Sequence, residues 1–163
     1  MSKGTTNVTQ IKRTESTAIG GDFITFRLAE QLLGIPVLEV HDVLASQKIT
    51  PIPLAPHAVA GVLNLRGRIV TAIDLRARLG LSARKADEKP MSIVIEHNGE
   101  PYSLLIDKVG EVLSLTAEHF ERNPVTLDAC WQSVSSGIYR LDGELLVAVN
   151  VDRLLDFAVA AAA

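Results

Sequence analysis

The chain has 163 residues, which suits one domain or two small joined subdomains, and its 47% hydrophobic and 21% charged residues suffice for a core and a solvated surface. A net charge of −3 and only 4% aromatic residues argue against a nucleic-acid partner, which needs a basic face and rings for base stacking. The single cysteine, Cys130, excludes an internal disulfide, and neither the polar start MSKGTTNVTQIKRTES nor the longest internal apolar run, Leu145 to Val149, resembles a signal peptide or a spanning helix of ~20 residues. The expectation is a cytoplasmic protein with no direct membrane insertion.

Residues 1–21 are rich in Thr, Ser and Lys, end in Gly20-Gly21, and are expected to form a flexible N-terminal arm. Phe23 to Leu28 has strand character and is followed by a turn near Ala29-Glu30-Gln31; Ile35 to Val40 reads as the next strand. Leu63 to Leu65 turns at Arg66-Gly67 into Arg68 to Ile73, and a short helix is expected from Leu75 to Leu79. The stretch from Ser82 to Pro90 is charged, ends in proline and reads as a surface linker. Ser92 to Glu96 turns at Asn98-Gly99 into Tyr102 to Ile106, and Gly137 to Leu141 turns at Asp142-Gly143 into Glu144 to Val149. Asn-Gly and Asp-Gly are strong hairpin signals because both tolerate the left-handed backbone of a two-residue turn. Further short helices are expected around Ala117 to Phe120 and from Asp152 onward, before an alanine-rich tail at 158–163.

The chain repeats itself. GVLNLRGRIVTAIDLRARL from Gly61 lies over GIYRLDGELLVAVNVDRLL from Gly137 without a gap, at an offset of 137 − 61 = 76 residues. Gly67 falls on Gly143, and Asp74 falls on Asn150, two side chains suited to capping a helix. Upstream, FITFRLAEQLLGIPVLEVHDVL from Phe23 lies over SIVIEHNGEPYSLLIDKVGEVL from Ser92 at an offset of 92 − 23 = 69. Two related β-subdomains follow, one at about 22–80 and one at about 91–157, joined by a linker at 81–90. Five or so short strands in each suggest small barrels, since closure removes exposed edges. Strand alternation puts Ile69, Thr71 and Ile73 on one face and Val70 and Ala72 on the other. Both faces are apolar, so one fills a barrel and the other is covered by the sister subdomain, the terminal helix or a partner protein.

Catalytic chemistry is hard to find. There is no GxGxxG or GxxxxGK[ST] phosphate loop and no GxSxG elbow. His41, His57, His97 and His119 are scattered without ligand spacing, so neither a metal nor a cofactor is expected. Cys130 beside Trp131 reads as core filling, with no basic neighbour to activate the thiol. Arg66, Arg68, Arg76 and Arg78 cluster along the sequence, and a solvated face is the default reading. Arg66 stands apart at the tip of a tight turn, where a guanidinium can fork onto a carboxylate or carbonyl of a protein partner.

The segment GVLNLRGRIVTAIDLRARLG at 61–80 resembles the signature of the CheW-like domain family, and its flanks TPIPLAPHAVAG and IDKVGEVLSLTAEHF agree. The resemblance spans about residues 22 to 157. It implies a mainly β fold of two pseudo-symmetric, five-stranded SH3-like β-barrel subdomains with short helices and a C-terminal helix. It implies a non-enzymatic chemotaxis adaptor, monomeric when isolated, that couples methyl-accepting chemoreceptor tips to the regulatory domain of the histidine kinase CheA. An adaptor of a non-flagellar pathway, such as pilus motility, is the alternative. Carried over by motif, the receptor-binding residues are Val40, Asp42, Val43, Asn64 and Arg66; the resemblance does not single out kinase-binding residues. The family often has Pro where Thr71 stands, a change a strand tolerates.

Overall fold

A computed structural model describes residues 20–122 and 127–156. The expected arm and tail lie outside these, apart from Gly20 and Gly21. The described chain is mainly β, with eleven strands in two sheets. In chain order the strands are β1 (Gly21–Leu28), β2 (Gln31–Pro36), β3 (Val40–Leu44), β4 (Val59–Leu65), β5 (Arg68–Asp74), β6 (Met91–His97), β7 (Glu100–Ile106), β8 (Lys108–Leu115), β9 (Phe120–Glu121), β10 (Ser135–Leu141) and β11 (Glu144–Val149). Three one-turn helices join them: α1 (Leu75–Arg78), α2 (Ala129–Gln132) and α3 (Val151–Leu154).

Every expected hairpin forms, and the turn residues account for it. Arg66 and Gly67 take φ of 52° and 86°, and Asn98 and Gly99 take 54° and 80°. These paired left-handed residues match the natural twist of a two-residue hairpin. The strand expected over Ile35 to Val40 does not form as one piece. Strand β2 begins earlier, at Gln31, and ends at Pro36; a 3-10 turn over Val37–Glu39 then leads into β3. Strands β3, β8 and β9 and helix α2 are additions to the sequence reading.

One sheet has the order β8-β1-β2-β11-β10-β9 and the other β3-β6-β7-β5-β4. Under the two sequence offsets β8 corresponds to β3, β1 to β6, β2 to β7, β11 to β5 and β10 to β4. The first five strands of one sheet therefore repeat the other in order. The parallel pair Val147–Leu33 is the counterpart of Thr71–Tyr102, and the antiparallel pair Ile24–Val112 is the counterpart of Val43–Ile93. The sheets are not the sequence halves, however. The β1–β2 hairpin joins strands from the second half, and the β6–β7 hairpin joins strands from the first. Each sheet therefore draws strands from both of the ranges 22–80 and 91–157.

Alternation sorts the core into three clusters. The largest gathers Phe26, Leu33, Ile35, Val147 and Val149 of the first sheet with Ile73, Ile93, Ile95, Leu104 and Ile106 of the second. Each sheet also curls about a smaller cluster of its own: Phe23, Leu32, Leu115, Tyr139, Leu146 and Ala148 in one, and Leu63, Val70, Ala72 and Leu105 in the other. The two apolar faces of β5 and β11 are thereby explained. One lines the curl and the other meets the sister sheet. Ile69 departs from this pattern and is 64% exposed.

Two contacts fasten the halves. Arg78 of α1 donates from Nε to the Leu154 carbonyl of α3 at 2.8 Å, across a separation of 76 residues, which equals the repeat offset. A contact between equivalent positions lies on the pseudo-two-fold axis itself. Nearby, Asp107 accepts from Arg76 Nε and Nη2 at 2.9 and 2.6 Å, from Arg84 Nε at 3.1 Å and from the Ala29 amide at 2.8 Å. The side chains of Arg76 and Arg84 are only 15% and 10% exposed. The default reading of the arginines as a solvated face is therefore corrected for Arg76 and Arg78: neighbouring carboxylate and carbonyl acceptors draw their guanidiniums inward. The linker is likewise held down, because Arg84 lies within it. No helix among the described residues is long and apolar enough to cross a membrane.

Candidate functional site

Strand β3 forms one edge of the five-stranded sheet, and the β4–β5 hairpin forms the opposite edge. The sheet curls far enough for side chains of the two edges to meet. Arg66 Nη2 lies 2.8 Å from Asp42 Oδ2. No ladder joins β3 to β4 among the described residues, so this ion pair bridges an open seam.

Local sequence sets each partner. Asn64 Oδ1 accepts from the Gly67 amide at 3.0 Å, bracing the turn that holds Arg66 in its left-handed conformation. On β3, a bulge between Val40 and Asp42 breaks the pairing with β6, adding one residue against the partner strand. Asp42 Oδ1 also accepts from the Val43 amide at 2.9 Å, which pins the carboxylate before Arg66 reaches it. The arginine side chain stays 75% exposed while the aspartate is 25% exposed. A hollow of about 170 Å³ opens beside the pair, lined among others by His41, Leu65, Arg68, Val94 and Glu96. His41 Nε2 stands 3.5 Å from Glu96 Oε1 across it.

Of the five residues expected to meet a receptor, Asp42 and Arg66 touch, and Asn64 supports the turn between them. Val40 and Val43 are half-buried and pack against the shared core. His41, Arg68 and Glu96 complete the hollow. The local signal that could have found them is their placement: His41 lies inside the EVHDV motif, Arg68 two residues after Arg66, and Glu96 at the end of the β3-paired strand.

No group of three or more His, Cys, Asp or Glu side chains able to hold a metal occurs among the described residues. Cys130 is half-buried, and burial followed by the nearby Asp128 carboxylate pushes its thiol above the ordinary value. Such a thiol holds its proton and is a poor nucleophile.

Comparison with known proteins places the chain. The CheW-like domain profile matches residues 22–159. The chain is 30% identical over 145 residues to the chemotaxis protein CheW of Klebsiella aerogenes, covering 89% of this chain and 87% of that protein. It is 29% identical over 136 residues to the chemotaxis protein CheW of Thermotoga maritima, covering 83% and 87%. The scaffolding protein TtCheW of Thermoanaerobacter tengcongensis superposes with a TM-score of 0.75 at 30% identity, over 85% of this chain and 94% of that one. With its two related sheets and a family match over residues 22–159, the chain belongs to the CheW-like domain family, whose members are chemotaxis scaffolds or adaptors rather than enzymes.

Proposed function

We propose that the chain couples the cytoplasmic tips of methyl-accepting chemoreceptors to the regulatory domain of the histidine kinase CheA in the cytoplasm, and that the Asp42–Arg66 corner meets the receptor. The observation that carries this reading is an exposed guanidinium held by a part-buried carboxylate on a rigid turn. A side chain already ordered before binding loses less rotamer freedom when a partner docks. The forked donor geometry of arginine suits a carboxylate or a row of carbonyls on a helical tip. Binding of the kinase on a separate surface then lets two weak contacts reinforce each other through effective concentration.

The test is capture of both partners by the purified chain. Wild type is expected to retain CheA and a receptor-tip fragment. Arg66→Ala is expected to lose the receptor fragment while keeping the kinase and the fold, since an exposed ion pair contributes less than about 1 kcal/mol to stability. Loss of both partners together, or unfolding of the variant, would make Arg66 a structural residue and withdraw the receptor assignment. Failure of wild type to capture either partner would withdraw the coupling role itself.

A further inference from the structure

One hairpin departs from the chemistry of the other three. The turns of β4–β5, β6–β7 and β10–β11 end in Gly67, Gly99 and Gly143, with φ of 86°, 80° and 89°. The turn of β1–β2 is Ala29-Glu30, with φ of 50° and 71°. Both residues hold a side chain in left-handed backbone, where a Cβ crowds the following carbonyl oxygen and glycine alone is at ease. Under the offset of 69 this turn corresponds to Asn98-Gly99, a relaxed version of the same reversal.

Three contacts hold the strained turn. The Asp107 carboxylate accepts from the Ala29 amide at 2.8 Å, and the Asp107 amide donates to the Arg27 carbonyl at 3.1 Å. Arg27 Nη1 donates to the Glu30 carbonyl at 3.2 Å. Asp107 is gripped in turn by Arg76 of α1 and Arg84 of the linker. The repeat supplies the control. Under the offset of 69 the counterpart of Asp107 is Leu38, which is 92% exposed and has no polar side-chain group. The hairpin that has Asn-Gly thus lacks the carboxylate, and the hairpin that lacks glycine has it.

The linker is held at a cost of its own. The Leu81 amide donates to the Arg76 carbonyl at 2.8 Å, and the Ser82 carbonyl accepts from Arg76 Nη1 at 2.8 Å. These contacts seat the Arg84 side chain, 10% exposed, with Nε 3.1 Å from Asp107 Oδ1. Its Nη2 is buried 3.9 Å from Asp74 Oδ1 and makes no hydrogen bond among the described residues. A buried donor without a hydrogen bond and a side chain in left-handed backbone both cost free energy. One movement relieves both. Withdrawal of Arg84 into solvent hydrates the orphaned donor and leaves Asp107 held from one side only, by Arg76.

We propose that the linker is a strap loaded against the β1–β2 turn: Arg84 docked on Asp107 holds the turn strained, and undocking of the strap and relaxation of the turn are one coupled step. The strap leads into β6 of the five-stranded sheet, and the turn belongs to the six-stranded one. A load on the linker is therefore felt at a hairpin of the other sheet. By linkage, a partner that takes hold of that hairpin is felt equally at the linker.

The test is hydrogen exchange on the full-length chain, read by NMR at the two ends of the strap: the Arg84 Nε proton and the amide of residue 29. Ala29→Asn/Glu30→Gly gives the turn the sequence of its counterpart and removes strain without removing a contact. It is expected to slow exchange of the Arg84 Nε proton about tenfold. Arg84→Met is expected to speed exchange at residue 29 about tenfold in the native turn, and less than about twofold in the Ala29→Asn/Glu30→Gly background. The amides of Ile93 and Leu104 should stay unchanged throughout. An Arg84 Nε proton indifferent to the relaxed turn would overturn the proposal. So would an equal effect of Arg84→Met in both backgrounds, which means that the hydrogen bonds act without strain. A change of the same size at Ile93 and Leu104 would also overturn it, since the variants would then act on the whole fold.

Discussion

Gly61→Ala is expected to destabilise the fold by about 4 kcal/mol, read as a shift in the urea midpoint. Gly61 has φ of 149°, where an L side chain is strained. A Cβ there would lie 2.2 Å from the Thr50 carbonyl oxygen and 2.7 Å from its carbon. That neighbour is backbone and cannot swing aside. It is tied to Val62 by two hydrogen bonds, Thr50 N to Val62 O at 2.8 Å and Val62 N to Thr50 O at 2.9 Å. Relief of the clash must break this bridge, so steric strain and lost hydrogen bonds add to the dihedral cost. The repeat supplies an internal comparison. Gly137 is the equivalent glycine, with φ of 153°, and its added Cβ would meet the Phe120 ring at 2.3 Å and, less closely, the Glu121 carbonyl oxygen at 3.0 Å. A ring can rotate where a carbonyl cannot, so Gly137→Ala is expected to cost less, about 2 kcal/mol. Equal costs at the two positions would show that the dihedral alone matters and that the close approach does not.

Asp107→Ala carries the other large effect, about 3–5 kcal/mol, because it leaves the guanidiniums of Arg76 and Arg84 with little exposure and no shared acceptor. It also removes the acceptor of the Ala29 amide, the link from this carboxylate to the β1–β2 turn. Burial pushes the Asp107 carboxyl up, but hydrogen bonds from Arg76, the Ala29 amide and Arg84 outweigh it and hold the group at about 2. The ordinary value is 3.8, so the folded state binds this proton more weakly than the unfolded chain. The stabilisation is therefore complete above about pH 4 and is lost as pH falls toward 2, an amount of about 2 kcal/mol. The stability gap between wild type and Asp107→Ala should narrow through that window. A gap that stays constant would mean that Asp107 acts through packing and not through its charge.

The hairpins were legible because their turns are chemically marked. Arg-Gly, Asn-Gly and Asp-Gly each put a residue tolerant of left-handed backbone where the chain reverses. The repeat was legible because a helix cap, Asp74 or Asn150, follows the same apolar strand in both copies; each side chain accepts from a helix amide. Strand β3 was hidden because Ile35 to Val40, with Ile35, Val37, Leu38 and Val40, looks like one mostly apolar strand. Pro36 lacks the amide needed to continue a ladder, and the 3-10 turn that follows it leaves no local apolar period. Strand β8 was hidden for another reason: Lys108, Gly110, Glu111 and Ser114 are exposed, so only one partner strand specifies it.

Which strands share a sheet was not legible. It rests on four pairings between distant segments, β2–β11 and β5–β7 in parallel and β1–β8 and β3–β6 antiparallel, and no local signal in any of these strands names its distant neighbour. At the candidate site, Asp42 and Arg66 came from a family resemblance, but their contact follows only from the curl of the sheet. The Asp107 cluster left a faint trace, an acid directly after the apolar run Leu104-Leu105-Ile106. Arg84 left none, because a cation in a charged linker looks solvated.

The exchange of hairpins between the two sheets has a consequence for how such a chain could arise and how it holds together. A single repeat unit would own strands on both sheets and the full core of neither. It could not bury its apolar faces alone and would have to pair with a copy of itself. Duplication and fusion would then have turned a two-chain assembly into one chain, with the linker as the seam. The same geometry makes the two units mutual templates: opening one exposes the other, so the chain loses its structure as a whole and not unit by unit.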